Sequence, residues 1–168
     1  MSNVSTSYSP DSTLRRVQVI ADYQFGKGTG PRLFPDGCEF TFSTTGRVRQ
    51  VLLSGTRLAT VRAEDGRLTL GIQGAERLHR ALPPPAYRVV IRDDVAEFIG
   101  AGKNVFSKHV VSADPGIRAG DEVMVVCSGD VLLATGTAVI SGAEMLAFNY
   151  GLAVKVRQGR SSPCCPEE

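Results

Sequence analysis

Between residues 39 and 72, four short runs of alternating or apolar residues are each cut off by a tight-turn signal, and this spacing leaves little choice of fold. Glu39-Phe-Thr-Phe-Ser43 alternates polar with apolar, and Thr44-Thr-Gly46 turns it. Residues 47–53 and 56–63 flank Ser54-Gly55, and Asp65-Gly66 leads into residues 67–72. Further on, residues 122–127 and 131–140 flank Ser128-Gly-Asp130 as a longer hairpin. Turns of two or three residues join antiparallel neighbours, whereas parallel strands need a long crossover. The pattern predicts an α+β protein built on antiparallel sheet, without β-α-β crossovers.

Few helices interrupt the strands. Residues 74–82 place Ala75, Leu78 and Leu82 on one face, and Pro83-Pro-Pro85 stops them. Residues 93–99 begin with acids that favour the positive end of a helix dipole. There Asp94 and Glu97 are spaced as a capping pair, and Val95, Phe98 and Ile99 form the expected buried face. Ser141 and Glu144 make a full capping box with Met145 and Phe148 behind it, and Gly151 suits a left-handed exit. Residues 14–21 fit a short helix or a first strand equally well.

A chain of 168 residues supports one large or two small domains and can bury a core without staples. The composition divides it into a disordered arm (1–13), an α+β domain (14–82), a stiff, extended proline linker (83–86), a second domain (87–158) and a flexible tail (159–168). The net charge of +2 predicts no partner, but its distribution is informative. Residues 1–87 carry 11 Lys/Arg against 7 Asp/Glu, and residues 88–160 carry 8 against 8. In that balanced half the bases gather at 103–109 and 155–160, so a basic patch forms if those segments meet. Cys38, Cys127, Cys164 and Cys165 form no C-x-x-C, which argues against a disulfide framework or a zinc site and for a reducing compartment. No leader-like segment and no membrane-length apolar run are present, so the expected location is cytoplasmic.

Catalysis is hard to assemble from these residues. His79 and His109 are the only near-neutral bases, and no Ser-His-Asp or Cys-His signature is readable. His79, beside Arg77 and Arg80, is expected as a surface imidazole. Phe25-Gly-Lys-Gly-Thr-Gly30 is glycine-rich, but Pro31 stands where a phosphate loop needs its Lys and hydroxyl, so residues 22–37 read as plain loop. No catalytic residue, cofactor or metal ligand is assigned.

Binding is easier to build. RNA recognition uses cations for phosphates, approachable backbone amides and flat faces for bases. Residues 100–109 offer Gly100 and Gly102, Lys103 and Lys108, and Asn104 with Phe106, which either stacks on a base or packs inward like Val105. Lys155 and Arg157 alternate along the last strand and so share a face. Arg47, Arg49, Arg77 and Arg80 make a candidate second patch.

Gly102-Lys-Asn-Val-Phe-Ser-Lys-His-Val-Val111, Ile117-Arg-Ala-Gly-Asp-Glu-Val123 and Leu146-Ala-Phe-Asn-Tyr-Gly-Leu-Ala-Val-Lys155 together resemble a PUA domain, a small RNA-binding barrel. Phe25-Gly-Lys-Gly, Leu33-Phe-Pro-Asp-Gly37, Thr45-Gly-Arg-Val-Arg49 and Gly74-Ala-Glu-Arg-Leu-His79 resemble the domain preceding PUA in archaeal tRNA-guanine transglycosylase of the archaeosine pathway. The resemblance implies a barrel with two helices over 87–158. It also implies that the loop and last strand grip an RNA stem end, with Gly102, Lys103, Asn104, Phe106, Lys108, His109, Lys155 and Arg157 as contacts. Lys103, Asn104, Lys108 and His109 are then expected at the surface. The transglycosylase's catalytic barrel, with its aspartates and zinc, has no counterpart in these 168 residues.

The expected function is therefore a non-enzymatic RNA-binding protein, acting on tRNA, with a separately encoded transglycosylase catalytic subunit as candidate partner. A stand-alone small RNA-modifying enzyme and a protein–protein adaptor reusing the barrel are the alternatives.

Overall fold

The computed structural model describes residues 9–160. Backbone packing divides the chain into two compact units, Met1–Leu68 and Thr69–Glu168.

The first unit opens with helix α1 (Pro10–Phe25), capped by Ser9, whose side chain accepts the Ser12 N–H. The open choice at residues 14–21 thus falls to helix, with Val17, Ala21 and Phe25 buried at helical spacing. Four residues of the expected arm, 10–13, belong to this helix, since proline is tolerated in its first turn. Residues 1–8 lie outside the described residues.

The glycine-rich stretch is not plain loop. α1 runs on to Phe25, and α2 (Thr29–Leu33) follows after Gly26 and Gly28, both at positive φ. Gly30 sits against α1, where a Cβ would lie 2.2 Å from the Gln18 carbonyl oxygen, and its N–H donates to Asp22 Oδ1 at 2.6 Å. The glycine serves a close helix crossing. Strands β1 (Glu39–Phe42), β2 (Val48–Leu53), β3 (Thr56–Val61) and β4 (Leu68–Leu70) form a sheet in that order. β1–β2 and β2–β3 are antiparallel, and Ser54 and Gly55 both take positive φ in the hairpin turn. Gln24 exchanges two hydrogen bonds with the Leu68 backbone, tying the edge of β4 to α1.

The second unit contains α3 (Ile72–Ala81) and a six-stranded, nearly closed barrel. Its strands are β5 (Arg88–Ile91), β6 (Val105–Phe106), β7 (Val110–Ala113), β8 (Glu122–Val126), β9 (Leu132–Ala138) and β10 (Leu152–Gly159), in the order β6-β10-β9-β8-β5-β7. Helices α4 (Ala96–Gly100) and α5 (Gly142–Ala147) are the two expected there. The ladder is antiparallel except for β5 beside β8, and that parallel pair is connected through α4, β6 and β7 rather than by a helical crossover. Val89 and Ile91 of β5 and Val123 and Val125 of β8 point into the barrel core.

Three local expectations are corrected. Residues 83–86 are not extended but fold into two overlapping turns, with Ala86 N–H to Pro83 O at 3.1 Å and Arg88 N–H to Pro85 O at 3.0 Å. Asp94 makes no capping bond and pairs with Arg92 at 2.6 Å, because residues 93–95 form a 3-10 turn before α4. The tail begins later than residue 159: β10 includes Gly159, and Arg160 donates its N–H to Leu133 O at 2.8 Å. Residues 161–168 lie outside the described residues. The Ser141–Glu144 capping box is present as read.

Arg88 organises the side of the barrel that faces α3. Only 3% exposed, it donates Nε to Asp130 Oδ1 at 2.7 Å and one terminal nitrogen to His79 O and Leu82 O at 2.9 and 3.0 Å. Its other terminal nitrogen reaches Ala86 O at 3.2 Å. The carbonyls of His79 and Leu82 lie at the C-terminal end of α3, where acceptors lack intrahelical donors. His79 is not a free surface imidazole: it is half-buried, with Nε2 2.8 Å from Asp130 O.

Candidate nucleic-acid interface

Whether the two basic segments meet is decided at the end of α4. Gly102, at φ +99°, turns the chain back, with Gly102 N–H to Ile99 O at 2.9 Å and Lys103 N–H to Phe98 O at 3.1 Å. The next residue joins the loop to the last strand, as Val156 N–H donates to Asn104 Oδ1 at 3.0 Å. β6 then pairs with β10, and Ser107 N–H reaches Gly151 O at 2.9 Å. Behind them Gly159 lies so near the loop that a Cβ would stand 2.4 Å from Gly100 O and 2.6 Å from Gly102 N. Residues 100–109 and β10 therefore form one continuous surface.

On it Lys103, Lys108 and Lys155 are exposed, and none of their ammonium groups has a side-chain partner among the described residues. Arg157 stands differently. It gives one terminal nitrogen to Glu122 Oε1 at 2.5 Å and the other to Thr137 Oγ1 at 2.8 Å, which leaves its side chain 29% exposed. Glu122 explains this hold. It is 4% exposed on the face of β8 shared with Met124 and Val126, away from the barrel core. Burial pushes its carboxyl up to about 7, against the pull of Arg157, Thr135 and the Leu70 N–H.

Asn104 is exposed but spends its carbonyl on the strand, so its anchoring role is structural. Val105 is fully buried, whereas the Phe106 ring is exposed and meets the His109 ring edge-on at 6.1 Å. His109, expected at the surface, is half-buried. Burial, then the charges of Lys108 and Arg92, lower its pKa, with Asp94 opposing, so near pH 7 it acts as a neutral ring. Its Nδ1 and the buried Ser107 Oγ have no protein partner among the described residues.

The sequence reading missed three aromatic rings. Phe98, expected inward, is 60% exposed at the root of the glycine loop. Phe148, expected behind the capping box, is also exposed and lies 6.1 Å from the ring of Tyr150, itself 78% exposed. α4 has only five residues, too few for periodicity to separate its faces, but Tyr150 before a positive-φ glycine was a readable sign of an exposed turn.

The candidate second patch divides. Arg47 and Arg49 are exposed on the first unit, with no side-chain partner among the described residues. Arg77 and Arg80 belong to α3 in the second unit, where Arg80 pairs with Glu76 at 3.2 Å and Arg77 also has a partner. Among the described residues no three His, Cys, Asp or Glu side chains could hold a metal, and no helix is long and apolar enough to cross a membrane.

Residues 15–85 match the family described as patch-forming domain C2 of tRNA-guanine transglycosylase, and residues 87–160 match the PUA domain. The tRNA-guanine(15) transglycosylase of Pyrococcus abyssi is 54% identical over 151 residues, which is 90% of this chain and 26% of that protein. The enzyme of the same name from Thermoplasma acidophilum is 42% identical over 88% of this chain and 23% of its own length. The chain thus spans about a quarter of these relatives. Two solved structures share the fold: a hypothetical protein of Pyrococcus horikoshii OT3 (TM-score 0.70, 22% identity) and a conserved PUA domain protein of T. acidophilum (TM-score 0.63, 19% identity). Each comparison covers 92% of this chain and 93% of the other.

Proposed function

We propose, from the premise that this chain is a PUA-domain protein resembling the C2 and PUA domains of archaeal tRNA-guanine transglycosylase, that it binds tRNA as the recognition part of archaeosine-type guanine exchange. In this reading it works in the cytoplasm and has no catalytic centre of its own. Residues 14–82 and 87–158 act as its two functional domains, and a separately encoded catalytic subunit performs the chemistry. The observation that carries the reading is the seam between residues 100–109 and β10. Three lysines without side-chain partners among the described residues flank it beside the exposed rings of Phe98 and Phe106. Lysines without protein partners are free to replace phosphate counterions, and exposed rings suit unpaired bases at a stem end.

Arg157 drops out as a free cation, which changes the expected salt dependence. Three phosphate contacts from Lys103, Lys108 and Lys155 give a log–log slope of about −2 to −3, at roughly 0.7 to 0.9 per contact. Lys103→Ala with Lys108→Ala should flatten that slope by about 1.5 and weaken different tRNAs alike. Anisotropy titrations across a salt series check this, and an unchanged slope would move the RNA site elsewhere. The absence of catalysis has its own test, guanine exchange into tRNA with and without a transglycosylase catalytic subunit. Exchange is expected only with the subunit, and turnover by this chain alone would refute the accessory role.

A further inference from the structure

A buried acid stands at the margin of the lysine seam. Glu122 on β8 lies opposite Thr137 on β9, and Thr137 lies opposite Lys155 on β10, so the three side chains share one side of the sheet. Arg157 follows at the bulge of β10 between Val156 and Gln158 and bridges the Glu122 carboxylate to the Thr137 hydroxyl. The carboxylate end of this bridge is buried, and the guanidinium end reaches solvent beside Lys155.

Glu122 is provided for in either charge state. Ionised, it accepts from Arg157, from Thr135 Oγ1 at 3.2 Å and from the N–H of Leu70 within the second unit. Protonated, it can donate to the same Thr135 oxygen, whose own hydrogen then goes to Val123 O at 3.3 Å. The surrounding charges are committed elsewhere or face water. Lys155 is exposed, and Asp121 takes the Arg118 N–H at 2.9 Å. On α3, which packs on β9, Glu76 is held by Arg160 at 2.9 Å and Arg80 at 3.2 Å, His79 by Asp130, and Arg77 has a partner as well. Arg157 is therefore the charge that acts on Glu122, against burial.

A phosphate and the Glu122 carboxylate are alternative acceptors for one guanidinium fork. A phosphate that takes the fork leaves Glu122 as a desolvated charge without its counter-ion, and a proton removes that charge. We propose that RNA binding and proton uptake are coupled at this pair: Arg157 leaves Glu122 for a phosphate of the RNA, and Glu122 takes one proton from solvent in exchange. The proposal rests on the RNA-binding reading above and makes Arg157 a fourth, conditional cation of the seam. Burial already holds the carboxyl at about 7, so the exchange falls near neutrality. Below that pH the proton is already in place and affinity levels off. Above it the proton must be taken up, and affinity falls as pH rises.

Calorimetry of tRNA binding to the full chain, in buffers of different ionisation enthalpy, counts the protons. For a phosphate contact worth tenfold, the parent should take up about half a proton near pH 7.5 and lose roughly fourfold in affinity between pH 7 and 8.5. His109, whose pKa is lowered from 6.5, stays neutral across that range. Glu122→Gln should take up no proton and bind up to about tenfold tighter than the parent at pH 8.5, with a salt slope steeper by roughly 0.7 to 0.9. Arg157→Ala, altered at the exposed end of the pair, should bind with the parent's pH 8.5 affinity at every pH and also take up no proton. It keeps the test open if circular dichroism shows that Glu122→Gln does not fold. A parent that binds tRNA without proton uptake overturns the coupling and leaves the RNA-binding reading standing. Uptake that persists in Arg157→Ala assigns the proton to another group and overturns it too. A parent that binds no tRNA sinks the RNA-binding reading and the coupling together.

Discussion

Arg88→Met should lower the unfolding free energy by about 3 kcal/mol, the lower end of what removing one partner of a buried ion pair costs. The methionine fills the volume but leaves the carbonyls of His79, Leu82 and Ala86 without their donor. Each buried acceptor left unmade costs about 1–3 kcal/mol if water cannot reach it. Asp130 keeps partial solvent access, which is why the upper end of the range is not expected. Arg88→Lys retains the charge but cannot present a fork to acceptors in several directions, and it should fall between methionine and parent. Urea unfolding with an unchanged m value checks the series, with Arg80→Met as the exposed control expected within about 0.5 kcal/mol. A methionine variant as stable as the parent would mean that α3 is held by packing alone.

Glu122 should make the second unit less stable as pH rises through neutrality. Its carboxyl ionises at about 7 when folded, against an ordinary value of 4.5, so the folded state holds the proton more tightly. For a raised carboxylate the stabilising contribution is fully present below pH 4.5 and lost as pH climbs through about 7. The gap corresponds to about 3 kcal/mol by pH 8. His109, lowered in the folded state, works in the opposite sense and costs stability as pH falls below its ordinary 6.5. Glu122→Gln separates the two. Its unfolding free energy minus the parent's should grow between pH 5 and 8, whereas the His109 contribution cancels in the difference. A difference that stays flat over that range would mean that Arg157 keeps Glu122 ionised throughout.

The sequence read the strands better than their partners. Ser54-Gly55 and Ser128-Gly-Asp130 announced two hairpins because a tight turn is a local event, and Ser141 with Glu144 announced α5 for the same reason. The parallel neighbours β5 and β8 left no local mark, since nothing near Val89 says that Val125 lies beside it. Lys103 and Lys108 lie at the surface as expected, because a polar, glycine-rich turn offers little to bury them. Arg157 was misplaced because the buried carboxylate that claims it stands 35 positions earlier in the chain, on β8. Arg88 was given no role from the sequence, since the carbonyls of His79 and Leu82 that it serves reach it only once α3 has folded.

The seam between the glycine loop and β10 also sets an order of events. Phe106 pairs with Leu152 and Asn104 holds Val156, so the seam is made from segments that are distant along the chain. The hairpins of the first unit close between sequence neighbours, whereas β10 pairs with β6 across the intervening β7, β8 and β9, a long-range closure of the kind that slows folding. During synthesis Lys103 and Lys108 emerge well before Lys155, and until β10 docks they are charges on an unfinished edge. A truncated chain lacking β10 would therefore carry the two loop lysines without the strand that aligns them.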